Sequence, residues 1–362
     1  MRRWSPRVLW LAALSVLLTC SDASDEGPTP PVPPPPPVVN RPPNIIFILS
    51  DDEDIAIHSY LPQTKALLQD QGTTLRNFFV TYSLCCPSRA SILRGQYPHN
   101  TKVESNGGPT GGFHRFQSLG REQATIATWL KAAGYRTYLI GKYLNGYGLG
   151  VVGANPPGWV QWSAGIGDAP YNQFNYSIDS DGVFVPYGSA PGDYLTDVIA
   201  RKATAAIRQA AKDSVPLFLY LSPYSAHLPA VAAPRHAGLF TSAVLPVPPN
   251  FNEADVSDKP LPIRSRPLLN ATDIAGLTAI YQKRLRALQS VDDLVDSVVT
   301  TLTNERLLDK TWIFYMSDNG FHLGEHRGLQ GKNLPYEEDL RVPFIVRGPG
   351  VQAGRVVDQM GL

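Results

Sequence analysis

Short, wholly apolar runs punctuate this chain, and longer segments with helical spacing of apolar positions lie between them. Ile45-Ile46-Phe47-Ile48-Leu49 contains no polar position and runs straight into Ser50-Asp51-Asp52. A run of strand length that is apolar on both faces suits a strand buried on both sides, as in a parallel sheet. Leu217 to Leu221 repeats the pattern ahead of Ser222, and Thr311 to Met316 repeats it ahead of Ser317-Asp318-Asn319-Gly320. Arg136 to Ile140, followed by Gly141-Lys142, and Val342 to Val346 read as further strands. Helices are predicted over Leu61 to Gln71 with Gly72 as the stop, in the first turns from Pro87 to Leu93, and over Gln123 to Ala133 ending at Gly134. Two more are predicted over Tyr194 to Ala211 and over Ala271 to Thr303, the latter with room for one break. Ser180-Asp181-Gly182, between two alternating runs across Tyr176 to Tyr187, reads as a hairpin. No internal repeat is visible. Helices alternating with apolar runs predict an α/β fold: a mostly parallel, doubly wound central sheet flanked by helices.

Against that frame the polar residues fall in one place. Asp51 and Asp52 follow one strand, Lys142 another, His227 a third, and Asp318 and Asn319 a fourth. Ligands of open α/β sheets bind outside the carboxyl ends of the strands, so four strands deliver ionisable groups to one rim. Three carboxylates and an amide form a hard oxygen site, suited to Ca²⁺ or Mg²⁺ and not to zinc. Gathered without a cation, the carboxylates would repel one another. Either Asp pair alone is more often a solvated turn; the shared strand-end position is what favours a metal. Arg89, Lys142 and Lys332 suit a tetrahedral oxyanion, although single lysines and arginines are mostly surface residues.

Two of the three cysteines, Cys85 and Cys86, are adjacent. Neighbouring cysteines rarely bridge, because the small ring is strained. Cys85 precedes Pro87, a good first-turn residue, and so sits where a helix offers free N–H donors. A thiolate nucleophile and a structural thiol both fit.

Length and charge narrow the class. The 362 residues are 43% hydrophobic and 17% charged, enough for a large α/β core. The formal charge is +1, and loss of residues 1–19 would remove three arginines and no acid, taking it to −2; nucleic acid is not an expected partner. Arg2, Arg3 and Arg7 precede the apolar run Val8 to Leu18, which is too short to span a bilayer comfortably. Residues 1–19 therefore read as a signal peptide. Leu17-Leu18-Thr19-Cys20 resembles a lipoprotein signal that would attach the chain to a membrane through lipidated Cys20; cleavage after Ser21-Asp22-Ala23 is the alternative. Either route predicts export to a periplasmic or extracellular place. Residues 20–43 form a proline-rich linker, with Pro33 to Pro37 in a row, and read as a polyproline spacer or a plain disordered tail. Residues 44–362 form the catalytic domain in this reading.

Cys85-Cys86-Pro87-Ser88-Arg89 matches the Cys-x-Pro-Ser-Arg signature of sulfatases. The likeness continues through Arg94-Gly95-Gln96-Tyr97-Pro98-His99-Asn100 and Gly141-Lys142-Tyr143-Leu144-Asn145. It resumes at Ser317-Asp318-Asn319-Gly320-Phe321-His322-Leu323-Gly324-Glu325-His326, then Gly331-Lys332 and Arg341-Val342-Pro343. From Asn44 onward the chain resembles the type I, formylglycine-dependent sulfatases of the alkaline-phosphatase superfamily. It looks most like the N-acetylglucosamine-6-sulfatases and extracellular heparan 6-sulfatases.

That resemblance implies an alkaline-phosphatase-like fold and the hydrolysis of sulfate esters, of sulfated carbohydrates such as N-acetylglucosamine 6-sulfate. It implies that a formylglycine-generating enzyme oxidises Cys85, and that the hydrated aldehyde attacks sulfur while held on Ca²⁺ by Asp51, Asp52, Asp318 and Asn319, residue 85 itself included among the ligands. Arg89 would steady the diol, and Lys142 and Lys332 would hold sulfate oxygens. His227 would protonate the leaving sugar oxygen, with His322 sharing proton transfer or merely supporting the site. Many sulfatases carry a histidine where Leu144 stands, and a threonine where Arg94 stands. Family members continue past Val342 through a helix and a small antiparallel subdomain, so a truncated C-terminus is expected. Trp159, Trp162, Tyr171 and Phe174 could stack on sugar or pack in the core, and His99 and His114 could line the pocket. Two other functions stay open: a phosphate or phosphonate ester hydrolase of the same superfamily, and an inactive glycan-binding surface lipoprotein.

Overall fold

The computed structural model describes residues 41–149 and 153–362. The proposed signal segment, Cys20 and all but the last residues of the proline-rich stretch lie outside the described residues.

The apolar runs become the middle of a ten-stranded sheet. In chain order the strands are β1 (Asn44–Ser50), β2 (Thr73–Phe78), β3 (Arg136–Gly141), β4 (Gln161–Gly165), β5 (Tyr176–Ser180), β6 (Val183–Tyr187), β7 (Leu217–Ser222), β8 (Thr311–Ser317), β9 (Phe344–Arg347) and β10 (Arg355–Gly361). They lie side by side as β10-β2-β9-β8-β1-β7-β3-β4-β5-β6. The central five, β8-β1-β7-β3-β4, are all parallel. Outside them the sheet is mixed: β9 runs antiparallel to β8 and β2, and the β5–β6 hairpin runs antiparallel to β4. At the other edge β10 runs parallel to β2, so the mostly parallel description holds, with the antiparallel pairs confined to the flanks.

Both faces of the centre are covered, which is why its strands carry no polar alternation. One face packs on α3 (Leu195–Lys212) and α4 (Ala271–Asn304), with Ile46, Ile48, Leu219 and Ile313 meeting Ile199, Leu288 and Val295. The other packs on α1 (Cys85–Arg94) and α2 (Ile126–Ala132), where Leu49, Phe218 and Tyr220 join Ala90, Leu93, Trp159 and Trp162. Both tryptophans are thus core residues.

Local departures from expectation have visible causes. Only Pro62–Thr64 of the predicted Leu61 to Gln71 helix is α-helical, and Lys65–Gln69 winds wider, as a π-helical turn. The strand expected from Val342 starts at Phe344, after Pro343, which has no N–H to donate. α4 runs unbroken, and the 176–187 hairpin is formed. Among the described residues no helix is long and apolar enough to cross a membrane.

Candidate active site

Because β8, β1, β7 and β3 are adjacent and parallel, their carboxyl ends share one rim. Backbone bonds extend the ladder past the strand ends: Asp51 N–H donates to Ser225 O (3.1 Å), Asp318 N–H to Ser50 O (3.1 Å) and Lys142 N–H to Ser222 O (2.7 Å). Gly141 makes the last approach feasible. Its φ is +118°, and a Cβ there would lie 2.0 Å from Ser222 O.

Asp52 adopts a left-handed φ of +60°, a region that Asp tolerates better than most residues. Its N–H donates to Asp318 Oδ1 (3.2 Å), and Asn319 Nδ2 donates to Asp52 Oδ1 (2.8 Å). Cys85 is the first residue of α1, after Leu84 in extended conformation. Its Sγ lies 3.6 Å from Asp51 Oδ1 and 3.9 Å from Asp52 Oδ1, and Lys332 Nζ lies 2.7 Å from it. The predicted residues Asp51, Asp52, Cys85, Asp318 and Asn319 are all buried side by side.

Each predicted cation finds a carboxylate. Lys142 Nζ lies 2.6 Å from Asp51 Oδ2, and Lys332 pairs with Asp52. Arg89 spans Asp318 Oδ2 (2.7 Å), Ser222 Oγ (2.6 Å) and Lys142 O (3.2 Å). His227 Nε2 is 3.7 Å from Asp52 Oδ2, while its Nδ1 is 2.6 Å from Leu228 O. Tyr171 stacks beside His227 at 4.2 Å and lies under Lys142 Nζ, 5.1 Å from the ring centre. Asn145 Nδ2 donates to the Tyr171 hydroxyl (3.3 Å).

His322 is placed differently. It is buried, its Nδ1 is 2.9 Å from Asp339 Oδ1, and its backbone pairs with Gly331. Among the described contacts it has no polar bond to Cys85 or the three aspartates; it backs the loop that carries Lys332. Phe174 stacks edge-on with Tyr194, and His99 stacks on Tyr97.

The electrostatics are those of a buried, balanced cluster. Burial raises the Asp51 carboxyl, but Lys142, His227, Arg89 and Lys332 together hold it well below the ordinary range. Burial and Asp51 push Asp318 upward. Burial also pushes the Cys85 thiol up to about 12, against the pull of Lys142 and Lys332. Burial thus works against a thiolate at Cys85 and the two lysines work for one.

The residues fit a hard cation. Ligand atoms of Asp51, Asp52, Cys85 and His227 lie within 4.8 Å of one another. Asn319 Oδ1 is buried and has no hydrogen-bond partner, an acceptor left over beside this group. With Asn319 that makes three oxygen donors, the kind Ca²⁺ prefers, beside one sulfur and one nitrogen; the predicted ligand Asp318 lies outside this four-residue group, its oxygens held by the Asp52 N–H and Arg89. Arg89 Nη2 is likewise buried and unpartnered.

Sequence reasoning passed over Ser222 and Asn106 and left the role of Tyr171 open. Ser222 holds Arg89, Asn106 Oδ1 accepts from the Cys86 N–H at the start of α1 (2.9 Å), and Tyr171 flanks His227. Only Tyr171 carried a signal, as one aromatic in a loop rich in glycine and proline.

Comparison with known proteins identifies the family. The Sulfatase family model matches residues 43–361. An arylsulfatase of Volvox carteri is 39% identical over 336 residues, covering 86% of this chain and 52% of the relative. The extracellular sulfatase SULF-1 homolog of Drosophila melanogaster is 37% identical, covering 89% of this chain and 29% of its own length. The human N-acetylglucosamine-6-sulfatase is 35% identical, covering 86% and 57%. The chain spans about half the length of the arylsulfatases it matches. Among solved structures, BT4656 in complex with D-glucosamine-2-N,6-O-disulfate superposes with a TM-score of 0.70 at 24% identity, covering 89% of this chain and 74% of that one. The phosphonate monoester hydrolase of Agrobacterium radiobacter superposes at 0.65 and 22%, covering 88% and 70%. At these identities the superpositions speak for the fold alone. The family rests on the model match and on the sequence relatives: this chain belongs to the sulfatase family.

Proposed function

We propose that this chain hydrolyses sulfate esters of carbohydrates, N-acetylglucosamine 6-sulfate or a close relative, using Cys85 after its conversion to formylglycine by a modifying enzyme. The observation that carries the reading is the position of Cys85 Sγ. It sits at the start of a helix, 3.6 and 3.9 Å from two buried aspartates and 2.7 Å from Lys332. Bound Ca²⁺, held by Asp51, Asp52, Asp318, Asn319 and residue 85, would supply positive charge at the sulfuryl group, and the hydrated aldehyde would supply the attacking hydroxyl.

The remaining chemistry belongs to the chain's own side chains. Arg89, fixed by Asp318 and Ser222, would steady the hydrated side chain at position 85. Lys142 and Lys332 converge from two sides and bind sulfate oxygens, where charge grows as the ester bond breaks. His227 has its Nδ1 against the Leu228 carbonyl, which leaves Nε2 to give a proton to the departing sugar oxygen. His322, paired with Asp339, keeps the Lys332 loop in position and stands behind His227 as the second proton-transfer candidate. The basic and apolar N-terminal segment, and relatives named extracellular sulfatases, support export of the mature chain.

The test combines chemistry and rate. Protein made alongside a formylglycine-generating enzyme should show the aldehyde at residue 85 by peptide mass. It should also cleave N-acetylglucosamine 6-sulfate faster than the 6-phosphate. Modified protein that prefers the phosphate would replace this reading with the phosphatase one. An intact Cys85 thiol in protein from the native host would favour the inactive glycan binder.

A further inference from the structure

Against the segments that follow β1 and β8 lies a buried arginine that the chemistry above does not use. Arg284 comes from the middle of α4 and has no exposed surface. Its Nη1 lies 2.7 Å from Asp54 Oδ2, its Nη2 donates to the backbone carbonyl of Asp52, and its guanidinium lies over the Phe321 ring at 4.3 Å. Asp54 in turn accepts the Ile57 N–H (3.0 Å) through Oδ1, capping the helical turn Ile55–His58. One planar fork therefore joins the segments after β1 and β8 to the long helix. It grips the backbone of the residue whose φ is +60°.

We propose that Arg284 is a positioning residue for the metal site, holding Asp52 in the left-handed conformation that turns its carboxylate toward Cys85 and Asn319. The inference rests on the metal reading above and adds to it a residue that touches neither metal nor substrate. With the Asp52 N–H held on Asp318, a change of φ at Asp52 would carry its carbonyl and its side chain together, so it would break the bond to Arg284 as it swung the carboxylate off the cluster. Lysine could keep the charge opposite Asp54 but lacks the planar fork that reaches both oxygens. Residues that orient metal ligands in this way typically change affinity by about 10- to 100-fold when replaced.

The experiment is a calcium titration of metal-stripped full chain by calorimetry, so it needs neither formylglycine nor turnover. Arg284→Lys should bind calcium at least about tenfold more weakly than the parent. The double variant Arg284→Met with Asp54→Asn, which removes both buried charges together, should be weakened at least as much. Melting of the metal-free proteins runs in parallel. Folded variants that bind calcium as tightly as the parent would overturn the inference and leave the metal reading intact. Variants that both fail to fold would make Arg284 a folding residue and overturn it as well. A parent chain that binds no calcium would sink the metal reading and this inference with it.

Discussion

At the scale of single residues, the sharpest test falls on the proposed proton donor. His227 is held on two sides, by the Leu228 carbonyl at Nδ1 and by the Tyr171 ring 4.2 Å away, while Nε2 faces the cluster. A general acid matters in proportion to how poorly the departing oxygen carries negative charge. His227→Ala should therefore slow a sugar sulfate by about 10²- to 10⁴-fold. An aryl sulfate with an acidic phenol should slow much less, because that leaving group needs little protonation. The check is the ratio of kcat/KM values for the two esters in parent and variant. Equal losses on both would move His227 from proton transfer to substrate binding. The clustering of the proposed site residues was legible beforehand because each stands at a strand end or inside a contiguous motif. Ser222 was not, since one hydroxyl in a loop has no spacing that marks it, and Tyr171 was marked only as one aromatic among several that could stack on sugar or pack in the core. Only the fold brings them against Arg89 and His227.

At the scale of elements, α4 does two separable jobs. Eight positions beyond Arg284, Asp292 receives the Gln63 N–H (2.9 Å), the Thr64 N–H (2.6 Å) and the Thr64 hydroxyl (2.8 Å). Those donors begin the Pro62–Thr64 turn, whose first N–H groups have no partner inside the turn itself. Asp292→Ala would strand them in a largely buried place and should cost about 1–3 kcal/mol, read by denaturant unfolding. Calcium affinity should stay unchanged, in contrast to Arg284→Lys. A parallel loss of calcium binding in Asp292→Ala would mean that the helix acts on the rim as a whole and not through one arginine. The elements also show where patterning runs out. β1, β7 and β8 announced themselves because both their faces are covered. β10 is polar and mostly exposed along an edge, β2 is half-buried, and β4 is a five-residue strand containing serine and two small residues. Pairing with neighbours makes these segments strands, and a pattern of apolar positions carries no record of pairing.

At the scale of the whole molecule, the question is why a fold would bury so many charges in one place. Asp51, Asp52 and Asp318 oppose Arg89, Lys142 and Lys332, so the six groups balance to zero. Burying paired charges is costly and seldom stabilises a protein relative to apolar packing. A divalent ion changes the sum. Bound at the rim, it would leave a surplus of two positive charges, a field that would draw in a sulfate ester and favour charge developing on its oxygens. The native fold should then be the only form that binds the ion well, because only folding brings β1, β8 and α1 together. A ligand that binds the native state alone adds about 2.7 kcal/mol of stability at 100 times its dissociation constant. The melting midpoint of metal-stripped protein should accordingly climb with the logarithm of added calcium. Replacing Asp51 and Asp318 together by Asn should flatten that slope, whatever it does to the starting midpoint. A slope that survives in the double variant would place the bound calcium somewhere other than the strand ends, and the rim would then have to be explained by its lysines and arginine alone.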